Sequence, residues 1–144
     1  TIDAFQHWLY THPGHSSGER REKWVELAAR FSPHIDWRGM EENFACLWHR
    51  QGHLFSAPFY YIEYAIAQIG ALQAWLAESR DHAGTVRKYQ EALALGGSRS
   101  LPELFETAGL RFAMGSDILN EIIPAVMKRI GELDAGADPE KKTG

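Results

Sequence analysis

A chain of 144 residues with 44% apolar and 12% aromatic side chains can bury one real core. Its net charge of −4 argues against a nucleic-acid surface, which needs a basic stripe; the basic pairs Arg20-Arg21 and Lys141-Lys142 sit among acids. A single cysteine, Cys46, rules out an internal disulfide, points to a reducing, cytoplasmic setting, and reads as a packing thiol within its apolar-aromatic run.

Nearly every segment has helical periodicity. Ile2, Phe5, Trp8 and Leu9 form one stripe that stops near Pro13-Gly14. Ser16 and Glu19 have the spacing of a capping box for a helix with Trp24, Leu27, Ala28 and Phe31 inward, ended by Ser32-Pro33. A connector anchored by Ile35 and Trp37 leads to a third helix over 40–50 with Phe44, Leu47 and Trp48 inward. A long helix is expected over about 57–79, opened by Pro58 in its first turn. It is apolar nearly all round, which predicts a central, buried helix. Its stripe of Glu63, Ala67, Gly70 and Ala74 is mostly small, so another helix can approach closely there. Asp81 opens the next helix and Gly96-Gly97 closes it. Ser100-Leu-Pro-Glu starts another that stops at Gly109. Ser116 begins the last, with Ile118, Ile122, Val126 and Ile130 inward and a kink expected at Pro124. The fold class is therefore all-α, a single domain of about six or seven helices. Residues 1–133 form that domain and 134–144 a disordered polar tail.

The 57–76 run contains Glu63, Gln68 and Gln73, which suits a soluble helix better than a membrane span. The first residues have neither the basic nor the apolar region of a signal peptide. The chain starts on Thr1 with an amphipathic pattern already running, as a piece of a longer polypeptide would.

The chemistry concentrates in His53-Leu-Phe-Ser-Ala-Pro-Phe-Tyr-Tyr-Ile-Glu-Tyr64. One imidazole precedes Tyr60, Tyr61 and Tyr64, and on one continuous helix these phenols would share an arc of roughly 100°. A phenol keeps its proton near neutral pH and can donate to charge developing on a substrate oxygen. Core tyrosines whose hydroxyls find partners fit the same residues equally well. His49 and His53, four apart, could hold zinc from one helical face, but Arg50 stands where a zinc peptidase has its general base and Gly52 weakens the helix. His49 reads better as a surface ring beside Trp48. His7, His12 and His15 could ligate a metal together, or simply decorate a solvated turn.

Three segments carry a family resemblance. Ile2-Asp-Ala-Phe-Gln-His-Trp-Leu-Tyr, the phrase from Trp48 to Gln73, and Tyr89 to Phe105 resemble the C-terminal end of oligoendopeptidase F, in the M3B branch of the M3 zinc metallopeptidases. The likeness runs to about residue 133 and is most specific over 53–73. It implies a largely helical enzyme with a deep channel for short peptides, and zinc held by a His-Glu-x-x-His helix and a downstream Glu. This chain has neither. The resemblance thus implies one wall of an active site, with zinc held by an N-terminal part of the peptidase and none by this chain alone. By position, His53 matches the substrate-contacting histidine, and Tyr61 and Tyr64 match the catalytic tyrosines. Tyr60 is adjacent and substrate-binding, and could exchange roles with Tyr61.

The implied partners are a short peptide and the zinc-bearing part of the enzyme, with no nucleic acid or membrane. The isolated chain is expected to be inactive and, with its covered face exposed, to self-associate. The rival reading is a stand-alone, non-catalytic helical module that binds a peptide or a protein.

Overall fold

The structure, a computed structural model, describes residues 1–136. Among them it is all-helical: α1 (Ile2–Thr11), α2 (Ser17–Phe31), α3 (Glu41–Ala45), a 3-10 turn (Leu47–Arg50), α4 (His53–Ser56), α5 (Ile62–Glu78), α6 (His82–Leu95), α7 (Leu101–Thr107) and α8 (Ser116–Gly136). The contacts divide the chain into two compact units, Thr1–Tyr64 and a second that begins at Ala65.

The first unit is built on an aromatic core. Apolar residues spaced three and four apart bring Phe5 of α1 into full burial, where its ring meets Trp24 edge-on at 5.4 Å and Trp48 at 5.7 Å. Leu27 and Leu54 complete the cluster. The Trp24 indole N–H donates to the Phe44 carbonyl at 2.9 Å, which ties α2 to α3. The Ser16–Glu19 capping box forms as expected: Glu19 N–H donates to Ser16 Oγ at 3.2 Å and Ser16 N–H to the Glu19 carboxylate at 2.7 Å. Phe31, expected inward, is exposed. Trp37 anchors its connector by stacking on Phe44 at 4.4 Å, whereas Ile35 is exposed.

In the second unit α5 and α7 approach closely at Gly70, where a Cβ would lie 2.9 Å from the Phe105 ring. This is the close contact predicted from the small-residue stripe. Gln73 of α5 holds the Arg111 backbone in two hydrogen bonds, accepting from its N–H and donating to its carbonyl, both at 2.9 Å. Gly96 and Gly109 end α6 and α7 at φ +54° and +73°, backbone that favours glycine.

Several boundaries differ from the sequence expectation. The helix expected over 40–50 breaks at Cys46 into α3 and the 3-10 turn, and a separate single-turn α4 follows. With α4 added, the α-helices number eight among the described residues. The long helix begins at Ile62, not Ala57, because Phe59 adopts φ +60°. A left-handed residue cannot continue a right-handed helix. Within α5 only Gly70 is buried, so the all-round apolar pattern is not matched by all-round burial. Residues 134–136, expected in a tail, continue α8, where Glu132 pairs with Arg129 at 3.2 Å and Lys128 at 4.0 Å. The rest of the expected tail, 137–144, lies outside the described residues. No described helix is long and apolar enough to cross a membrane.

Candidate functional site

The candidate site is built on the segment that joins the aromatic core to α5. Leu54 is buried in that core, which pins the single turn of α4. The turn closes through Ala57 N–H to His53 O at 3.0 Å and Ser56 Oγ–H to Gly52 O at 3.0 Å. Next door, His53 is half-buried, with its ring directed to the tyrosines.

The chain then reverses through Ala57–Tyr61. Phe59 sits at φ +60°, an uncommon and strained conformation for a bulky residue. Its ring packs on α1, with centroids 5.0 Å from His7 and 5.2 Å from Tyr10. That docking holds the turn. Tyr60 and Tyr61 therefore leave from a turn, and only Tyr64 from α5; one continuous helix does not present all three.

The turn nonetheless brings the rings together. The His53 imidazole stacks on Tyr60 with centroids 4.9 Å apart and planes within 7°. Tyr61 and Tyr64 meet it edge-on at 5.1 and 6.1 Å. Tyr64 is 5.7 Å from each of its tyrosine neighbours. Tyr60 is 45% and Tyr64 54% exposed, so these phenols are not sealed in a core. Tyr61 is half-buried and its hydroxyl donates to Gln51 Oε1 at 2.6 Å. Glu63 points to solvent, so its carboxylate needs no buried partner. The cluster offers hydroxyl donors and acceptors and one imidazole, all from the first unit.

Two participants escaped the sequence reading. Gln51 precedes His53 by two residues and carries no motif that marks it. The left-handed backbone of Phe59 had no sequence signal beyond the preceding Pro58. The other histidines go elsewhere: His12 and His15 stack on Trp8 at 5.2 and 5.3 Å, and the exposed His49 lies 3.8 Å from Trp48. Cys46 is half-buried, with Arg21 Nη1 3.6 Å from its sulfur. Among the described residues, no three His, Cys, Asp or Glu side chains converge so as to hold a metal ion.

Comparison with known proteins gives a consistent answer. The sequence model of Peptidase family M3 matches residues 1–122. A structure of PZ peptidase A with an inhibitor superposes with a TM-score of 0.81 over 91% of this chain, at 28% identity. A crystal structure described as that of an oligoendopeptidase F gives 0.76 over 95%, at 32% identity. The chain spans 24% of the length of each. No curated protein matches it.

Proposed function

Because the chain belongs to peptidase family M3, we propose that it is the C-terminal segment of a zinc-dependent oligopeptidase and forms the His/Tyr wall of its peptide site. The observation that carries this reading is the gathering of Tyr60, Tyr61 and Tyr64 around His53, with two of the phenols open to solvent. In a zinc peptidase the metal would supply Lewis acidity; the residues present here do not fit it, and under this reading its ligands lie on another part of the peptidase. The same reading places the enzyme in the cytoplasm, acting on short peptides.

The role of this chain's own residues follows from peptide chemistry. When a carbonyl carbon becomes tetrahedral, negative charge builds on its oxygen. Tyr64, the most exposed of the three tyrosines, donates a hydrogen bond from its hydroxyl to that oxygen and keeps its proton. His53 and Tyr60, stacked face to face, offer a flat, partly polar surface against which the peptide lies. A hydrogen bond that strengthens as charge develops lowers the barrier without tightening the ground state.

Tyr64→Phe in the intact peptidase tests this reading. It should lose about 3 kcal/mol of transition-state stabilisation, on the order of a hundredfold in kcat, with KM little changed. Parent-level kcat in that variant removes Tyr64 from the reaction. Peptide binding without hydrolysis in the intact polypeptide would favour the non-catalytic module instead.

A further inference from the structure

We propose that Gln51 is a positioning residue that divides labour among the three phenols: its carbonyl oxygen accepts the Tyr61 hydroxyl hydrogen bond, so that Tyr61 offers its oxygen lone pairs to a peptide N–H while Tyr64 keeps its hydroxyl free to donate to a carbonyl oxygen. This rests on the preceding reading of the site and adds to it how a peptide is oriented there.

The geometry is specific. A phenol has one proton to give and two lone pairs. At 2.6 Å from Gln51 Oε1, within the short end of the O–H···O range, the Tyr61 proton is already committed. What remains toward the ligand is an acceptor. Tyr64, 54% exposed, retains a proton for an incoming group. A peptide bond carries one acceptor and one donor, its C=O and N–H, and a wall that presents one phenolic acceptor beside one phenolic donor matches both.

Gln51 is itself held for the task. Its N–H donates to the Trp48 carbonyl at 3.0 Å, and Trp48 is part of the buried aromatic core. The 3-10 turn Leu47–Arg50 ends there, so the amide leaves from a fixed point. Tyr61 enters the turn beyond Phe59 and meets this amide ten residues along the chain. The contact closes the loop that contains His53, and thereby fixes the edge-on arrangement of Tyr61 on His53.

The orientation of the amide decides the assignment. Were its nitrogen toward Tyr61, Gln51 would donate and the phenol proton would be free. A glutamate, which only accepts when ionised, separates the two arrangements.

The experiment uses the intact peptidase, steady-state kinetics on a short peptide, and the same peptide N-methylated in turn at each backbone nitrogen flanking the scissile bond. Gln51→Leu should raise KM roughly fivefold with kcat within twofold, because an N–H contact made equally in ground and transition states is uniform binding. Gln51→Glu should keep the parent KM. One N-methylated peptide should show the raised KM in the parent and no further rise in Gln51→Leu. A merely structural role would leave the two losses additive, which would refute the assignment. So would a loss of kcat in Gln51→Glu, or a parent that tolerates every N-methylation; both of these remain readable if Gln51→Leu does not fold. Tyr64→Phe runs alongside. If it lowers kcat while Gln51→Leu behaves as the parent, only the Gln51 assignment fails; if it is silent, the reading of the site fails and takes the assignment with it.

Discussion

Phe59 shows how much of the candidate site depends on a single backbone angle. At φ +60° it breaks what would otherwise be one helix from Ala57 onward, and so turns Tyr60 and Tyr61 toward His53. The cost of that conformation is borne by ring contacts with His7 and Tyr10. Phe59→Gly removes both strain and anchor, whereas Phe59→Ala removes only the anchor. We therefore expect Phe59→Ala to be the less stable of the two by about 1 kcal/mol, since alanine retains the left-handed penalty. Urea midpoints of the two variants check this, and equal midpoints would show that the turn is not strained. The types and spacing of His53, Tyr60, Tyr61 and Tyr64 marked a polar cluster that a packed core would fit as well, and only the family resemblance implied their site roles. Gln51 was not legible, because its role depends on a reversal of the chain that no periodicity announces.

Helix ends were the most legible part of the fold, since caps are local chemistry. Ser16 with Glu19 forms the box its spacing predicts, and at the expected start of α7 the Ser100 N–H and hydroxyl both donate to the Glu103 carboxylate. Hydrogen bonds from the Ser16 N–H and hydroxyl hold the Glu19 carboxyl below the usual carboxylate range, and Ser100 does the same for Glu103, its hydroxyl foremost. A carboxylate depressed in the folded state stabilises above its unfolded pKa, and that contribution disappears as pH falls through the folded value. Helicity followed by circular dichroism should therefore decline on acidification below the ordinary glutamate range, and less steeply in Ser16→Ala/Ser100→Ala. An identical acid profile in the two proteins would contradict the caps' role. Interior breaks were less legible: the apolar pattern over 40–50 continues straight through Cys46, where the chain changes helix type. At Gly70, two effects compete in Gly70→Ala. Helix propensity gains about 1 kcal/mol, and overpacking against Phe105 costs about 1–3 kcal/mol. Overpacking should win, because Phe105 is itself packed edge-on against Phe112 at 5.3 Å and has little room to yield. The melting temperature should fall, and a rise would mean that the ring moves aside.

At the scale of the whole molecule, the sequence promised a buried α5, and the structure buries only Gly70 of it fully. Ala74, Trp75, Glu78, Thr85, Val86 and Tyr89 line an apolar groove of about 340 Å³ between α5 and α6. Leu93, Ile123 and Met127 are exposed in the same unit. Periodicity reports which faces are apolar; it cannot report what covers them. Uncovered apolar surface associates, so the isolated chain should form dimers or larger species, and a monomer at high concentration in light scattering would contradict this. Metal analysis of the same preparation should find no stoichiometric zinc, and one tight zinc per chain would overturn the assignment of its ligands to another part of the peptidase. The central claim is that Tyr64 meets the tetrahedral oxygen of a reacting peptide bond. Its most direct test is the inhibition constant of a phosphinic peptide, a tetrahedral mimic, against the intact peptidase and its Tyr64→Phe variant. The mimic should bind the variant more weakly by a factor that tracks the fall in kcat/KM; equal inhibition of both would mean that this phenol never faces the oxygen.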